Sequence, residues 1–166
     1  MSAEPWEGYD YTALIVFCFL LKDDKILLIK RANNPYKGEI TIPGGRKRRG
    51  ESLKAACARE MMEETGYSLK KMEFAGILHV WKDENPMEYV SHYFVCRDFE
   101  GELRASDEGE LSWVEVSKST TLPGIHPFYV ALLPYIVGEE KNMGEKRPFS
   151  RAIHVHSNGR EEWLEE

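Results

Sequence analysis

Glu60, Glu63 and Glu64 stand at i, i+3 and i+4 in the segment ESLKAACAREMMEETGY, so a helix there carries three carboxylates on one face. Like charges at i, i+4 destabilise a helix by about 0.2–0.5 kcal/mol per pair. Anions in the last turns also oppose the helix macrodipole. A bound divalent cation reverses both signs, and ligation by oxygen alone suits Mg²⁺ or Mn²⁺ rather than zinc. The plainer alternative is a solvated acidic face, with Arg59 paired to Glu63. The spacing predicts a helix that starts near Ser52 and is stopped by Gly66, which takes a left-handed C′ conformation without a Cβ penalty. Ala55, Ala58 and Met62, opposite the carboxylates, are expected to pack. Just upstream lie a glycine pair, Gly44 and Gly45, and the basic run Arg46, Lys47, Arg48 and Arg49. Next to an acidic helix that run suits a phosphate; a localisation signal or a solvated loop are its other readings.

Read in order, the segment gives Gly45, five residues, Glu51, seven residues, Arg59-Glu60, then Met61, one residue, Glu63-Glu64, one residue, Gly66 and Tyr67. This pattern resembles the Nudix box (45–67), the signature of the Nudix hydrolases. The departure is Tyr67, where the family usually has an aliphatic residue, and it bears on packing under the helix end. The resemblance implies hydrolysis of a phosphoanhydride bond in a nucleoside diphosphate linked to another group, with Mg²⁺ (or Mn²⁺) as cofactor. It further implies Glu60 and Glu64 as principal metal ligands, Glu63 as a further ligand, and the carbonyl of Gly44 as a backbone ligand. Arg59 would orient the glutamates, and Glu51 would support the loop or join the metal network. One more acid from outside the box is expected as ligand or general base. The stretch SDEGELSW offers Asp107, Glu108 and Glu110, of which Glu108, followed by a glycine before Trp113, best resembles the MutT-type arrangement. Arg31 ends a strand where related enzymes place a substrate-contacting arginine, and Arg46 could reach phosphate.

The elements that must position these residues follow from periodicity. Tyr11–Leu21 and Ile26–Arg31 are rich in β-branched and aromatic residues and read as a hairpin across Lys22–Lys25. Residues 32–38 form a loop, and Glu39–Ile42 a short strand leading to Pro43. Beyond the helix, Lys71–Trp81 is expected as a strand kinked at Gly76, followed by a turn, a long strand Glu88–Phe99 with 101–103 as a potential extension, and a strand Leu111–Val116. Pro127, placed near a helix start, precedes an apolar helix from about Phe128 to Val137, which Pro134 should kink or stop early. Asn158-Gly159 marks a terminal hairpin within 149–164. Residues 1–10 read as an arm or frayed end, and 138–147 as polar linker. The resulting fold class is α/β, a mixed β-sheet with helices on both faces; the resemblance implies an α/β/α sandwich, the Nudix fold, over about 12–137. One domain is expected over 1–166, with the C-terminal helix and hairpin at about 127–164.

Composition narrows the class. With 42% hydrophobic and 30% charged residues, the 166-residue chain can bury a core. Cys18, Cys57 and Cys96 are few and widely spaced, as reduced thiols of a cytoplasmic protein would be. The acidic start is not a secretory signal, and no apolar run reaches the ~20 residues that span a bilayer. A net charge of −6 argues against a stable nucleic-acid partner. A nucleotide is the expected partner, with the chain a monomer or homodimer.

The segment LPGIHPFYVALLPYIV and the terminal hairpin resemble the C-terminal half of MutT-related oxidised-purine nucleotide diphosphatases, where they help to wall the base pocket. The base-reading residues of those enzymes are not matched; Ile125, His126 and Pro127 stand there instead. His126 could hydrogen-bond a base or be incidental. His154 and His156, alternate residues on one strand face, could bind a metal or form the polar side of the hairpin. Three activities are therefore weighed: a MutT-type nucleoside triphosphate pyrophosphohydrolase releasing a monophosphate and pyrophosphate, a pyrophosphatase for ADP-ribose or another nucleotide sugar or dinucleotide, and a catalytically silent nucleotide-binding module.

Overall fold

The computed structural model describes residues 12–138 and 148–165; the arm at 1–10 and nearly all of the linker at 138–147 lie outside them. The central strand is β1 (Thr12–Lys22), apolar on both faces because both are covered. It runs parallel to β6 (Asn85–Gly101) from Thr12↔Glu88 to Leu20↔Cys96. Its end turns into β2 (Lys25–Arg31) through the expected hairpin, with Leu21 opposite Ile26. Beside β2 lie β3 (Ile40–Thr41) and β7 (Gly109–Glu115). On the far side of β6 come β5 (Tyr67–Lys82), then β8 (Phe149–Val155) parallel to it, and β9 (Glu161–Glu165). The order is β3-β2-β1-β6-β5-β8-β9, a mixed sheet.

Two features of the sheet differ from the expectation. The glycine pair is itself a strand, β4 (Gly44–Arg46), antiparallel to the first half of β1. Glycine is a poor strand former, and pairing with β1 overrides that local preference. β5 also starts at Tyr67, directly after the helix cap, rather than at Lys71, and register shifts near Leu69–Met72 and Phe74–Gly76 accommodate its length.

Helices cover both faces. Helix α1 (Leu53–Thr65) begins at Ser52, whose Oγ accepts from the Ala55 N–H at 3.1 Å. It ends at Gly66, with φ of 81° and its N–H bonded to the Met62 carbonyl. Its packing face corrects the expectation: Ala55 and Met62 are exposed, and Ala56, Cys57 and Met61 are buried together with Glu64 and Thr65. The carboxylate face borders the sheet instead of opposing it, so Glu60 and Glu64 are held against β4.

The even-numbered β1 residues Val16, Cys18 and Leu20 pack under α1, and the odd-numbered Phe19 and Leu21 face the other way, toward α3 (Pro127–Val137). Between β7 and α3 lies a single turn of helix, α2 (Val116–Ser119). Helix α3 begins as expected and runs through Pro134 to Val137 without stopping. Val130 and Pro134 are both exposed, so the carbonyl that proline leaves without a donor is on the solvent side. The Asn158-Gly159 turn joins β8 to β9, with Gly159 at φ of 80°. All three cysteines are free and buried. Among the described residues no helix is long and apolar enough to cross a membrane.

Candidate active site

Arg59 organises the acidic end of the site. Its Nε and Nη2 donate side-on to both oxygens of Glu51, at 2.6 and 3.0 Å. Nη1 donates to Glu60 at 2.6 Å and to Glu63 at 3.1 Å, and Nη2 also reaches the Arg46 carbonyl at 3.0 Å. One guanidinium therefore fixes the loop, the end of β4 and two helix carboxylates. Arg59 and the Arg48 N–H hold Glu51 down to about 2, so it stays ionised as an anchor. Glu63 is the outermost of the three helix acids and is also within 3.4 Å of Arg48.

Glu60 and Glu64 turn inward. A Cβ on Gly45 would stand 2.5 Å from the Glu60 carboxyl carbon, so a larger residue there would push that carboxylate aside. The Gly44 N–H donates to Glu64 Oε2 at 2.9 Å. Burial pushes the Glu64 carboxyl up to about 8, and the charges of Glu60 and Glu108 push the same way; the Gly44 bond and Arg31 pull against them. The charges of Glu60 and Glu108 thus both bear on the buried Glu64. That donor set, all oxygen and rich in charge, fits a divalent cation of the Mg²⁺ class.

Of the three acids before Trp113, Glu108 is the one whose charge bears on Glu64. It is carried there by the end of β7, where the Glu108 carbonyl accepts from the Ala32 N–H. Glu110 pairs with Lys30 further along β7, and Asp107 uses its carbonyl to hold the Asn33 side chain.

A second region adjoins the first. A cavity of about 260 Å³ opens on the face of β1 opposite α1. Phe17, Phe19, Tyr36, Tyr89, Tyr93 and Phe128 give it an aromatic lining, and Arg31, Lys82, Asn85 and His126 bring polar groups to it. Arg31 belongs to both regions: it lines the cavity, and its charge reaches Glu64. Its Nε is anchored on the Pro35 carbonyl at 2.9 Å.

His126 caps α3, its Nδ1 accepting from the Phe128 N–H, while its ring meets Tyr36 edge-on at 4.9 Å. Burial lowers its proton affinity, and Glu39, 3.6 Å away, partly restores it. Arg46 is elsewhere. Its side chain lines a shallow basic groove with Lys47, Arg48 and Arg49 and is not among the residues around the cavity. His154 and His156 stand on the terminal hairpin beside Asp83. Sequence reasoning named neither the aromatic wall nor Tyr36 and Lys82, which come from separate strands and loops with no shared spacing.

The NUDIX domain family model matches residues 12–135. Among curated proteins, the chain is 40% identical over 103 residues to an ADP-ribose pyrophosphatase of Methanocaldococcus jannaschii, a match covering 61% of this chain and 60% of that protein. It is 32% identical over 117 residues to an uncharacterized Nudix hydrolase of Bacillus subtilis, covering 68% of this chain and 72% of the relative. Among solved structures, a MutT protein from Bacillus halodurans superposes with a TM-score of 0.76 at 23% identity, covering 92% of this chain and 96% of the other. That likeness is one of fold.

Proposed function

The chain belongs to the Nudix family, and from that premise we propose that it hydrolyses a phosphoanhydride bond in a nucleoside diphosphate linked to a further group. The observation that carries this reading is the position of Arg31, shared between the acidic cluster and an aromatic cavity. A base fits the apolar cavity, and the pyrophosphate then reaches the carboxylates past a fixed guanidinium. Glu60 and Glu64 would hold a Mg²⁺-class ion, with Glu63 and the Gly44 carbonyl as further ligands. When bound, the ion neutralises phosphate charge and polarises the phosphoryl group. Arg59 and Glu51 position these ligands rather than meeting substrate. Glu108, whose charge bears on Glu64, takes a proton from the attacking water. Arg31 is assigned to phosphate and His126 to the mouth of the base site, whereas Arg46, in its separate groove, takes no part in this reading.

Two finer readings divide the substrates. The terminal helix and hairpin favour a MutT-type nucleoside triphosphate pyrophosphohydrolase. The name of the archaeal relative favours ADP-ribose. A panel of nucleoside triphosphates, ADP-ribose and dinucleotides, assayed with Mg²⁺ for released products, separates them: monophosphate plus pyrophosphate supports the first, AMP plus ribose 5-phosphate the second. Nucleotide binding without turnover on any of them would instead indicate a silent binding module. In the same assay Glu108→Gln should lower kcat with little change in KM; an unchanged kcat would remove Glu108 from the mechanism.

A further inference from the structure

Away from the acidic helix, the terminal hairpin and the turn between β5 and β6 bring two imidazoles and a carboxylate together. His154 Nε2 lies 2.5 Å from Asp83 Oδ1, and His156 Nδ1 lies 3.7 Å from Asp83 Oδ2. The three ligating atoms all fall within 4.8 Å of one another, and the two imidazole rings are 4.0 Å apart. Ligands about 2.0–2.1 Å from a tetrahedral zinc stand roughly 3.3 Å apart, so small rotations of half-exposed side chains close the shell.

Each ligand is also held from behind. The His154 ring stacks on Trp81 at 5.4 Å. Asp83 Oδ2 accepts the Ser157 N–H at 3.0 Å. His156 points its other nitrogen, Nε2, at Glu162 Oε2, 3.0 Å away, the arrangement in which an outer carboxylate fixes the tautomer of a metal-bound histidine. Arg160 Nη2 shares that position, 2.9 Å from Nε2 and 3.4 Å from Glu162; its exposed side chain can turn to Glu162 alone when Nε2 carries the proton.

We propose that Asp83, His154 and His156 form a second metal site, selective for a zinc-class divalent ion and distinct from the carboxylate cluster on α1. Two nitrogens and one carboxylate oxygen suit Zn²⁺, Co²⁺ or Ni²⁺ far better than Mg²⁺. Three protein ligands leave the fourth position to water. The ion would tie the terminal hairpin to the turn at Asp83. Both pieces support the cavity wall: Lys82 and Asn85 line it on either side of that turn, and Trp163 of β9 packs edge-on against Phe128. The site does not depend on the phosphoanhydride reading, and its test needs no substrate.

The decisive experiment titrates ZnCl₂ into the full chain in excess Mg²⁺ by calorimetry, with Co²⁺ absorption as a second readout. The Glu64→Gln variant serves as the background that weakens the first site. One equivalent of Zn²⁺ should bind both wild type and Glu64→Gln. In His154→Ala and in the conservative Asp83→Asn, affinity should fall by more than about 100-fold, and in Glu162→Gln by about 10–100-fold. Circular dichroism checks that each variant is folded. Absence of the equivalent in wild type, its loss in Glu64→Gln, or its survival unchanged in folded His154→Ala and Asp83→Asn would each overturn the proposal.

Discussion

The acidic cluster and the aromatic cavity lie side by side yet are built in opposite ways. The cluster takes Glu60, Glu63 and Glu64 from one helix, with one arginine clamping the first two and two glycines lying against it. The cavity takes its lining from β1, the loop after β2, β5, β6 and α3, and not from any one stretch of chain. Local construction makes the cluster a fixed piece of chemistry, in which any change is felt by every member. Dispersed construction makes the cavity adjustable, because no single side chain defines it. Under the proposed function, bond cleavage belongs to the first region and substrate choice to the second.

The largest effect should come from the first region. Glu64→Gln is expected to lower kcat by more than about 100-fold, beyond the 10–100-fold typical of an outer-shell partner, while the circular dichroism spectrum stays that of the wild type. Near-normal turnover would separate catalysis from the carboxylate cluster altogether. In the second region, Tyr36→Ala removes one aromatic wall and its edge contact with His126. It should raise KM by about tenfold, near 1.4 kcal/mol, with kcat little changed. A fall in kcat with KM unchanged would show that the two regions are not separable.

A third effect concerns stability. Glu64 holds its proton to about 8 in the fold, against an ordinary 4.5 in the unfolded chain. The folded state therefore binds more protons between those values, and its stability falls as pH rises through them. In chelator, the Tm should be highest below pH 4.5 as far as this group is concerned and should decline toward pH 8. Mg²⁺ should flatten the decline, and Glu64→Gln should abolish it. A Tm in chelator that rises over the same range would show that Glu64 is not the dominant group.

The two regions were also unequally legible in the sequence. The helix α1, both of its caps and the face shared by Glu60 and Glu64 could be read from spacing, because short-range periodicity sets them. The burial of that face could not. Ala55 and Met62 look like core residues by composition, and the strand pairing of Gly44–Arg46, which decides otherwise, is a tertiary effect. The two hairpins at Lys22–Lys25 and Asn158-Gly159 were readable from turn chemistry. The cavity was not, since aromatic residues from distant strands carry no common period. Asp83 was missed for the same reason: the two histidines are neighbours in sequence, and their carboxylate is 71 positions away.

The alternation along β1 couples these regions in a further way. Val16, Cys18 and Leu20 serve the helix side, and Phe17 and Phe19 the cavity side. Inheritance can therefore act on alternate codons separately. Odd-numbered positions can drift to reshape the pocket while even-numbered ones keep the hydrolytic helix seated. A one-residue insertion in this strand has no such freedom, because it would exchange the two faces at once.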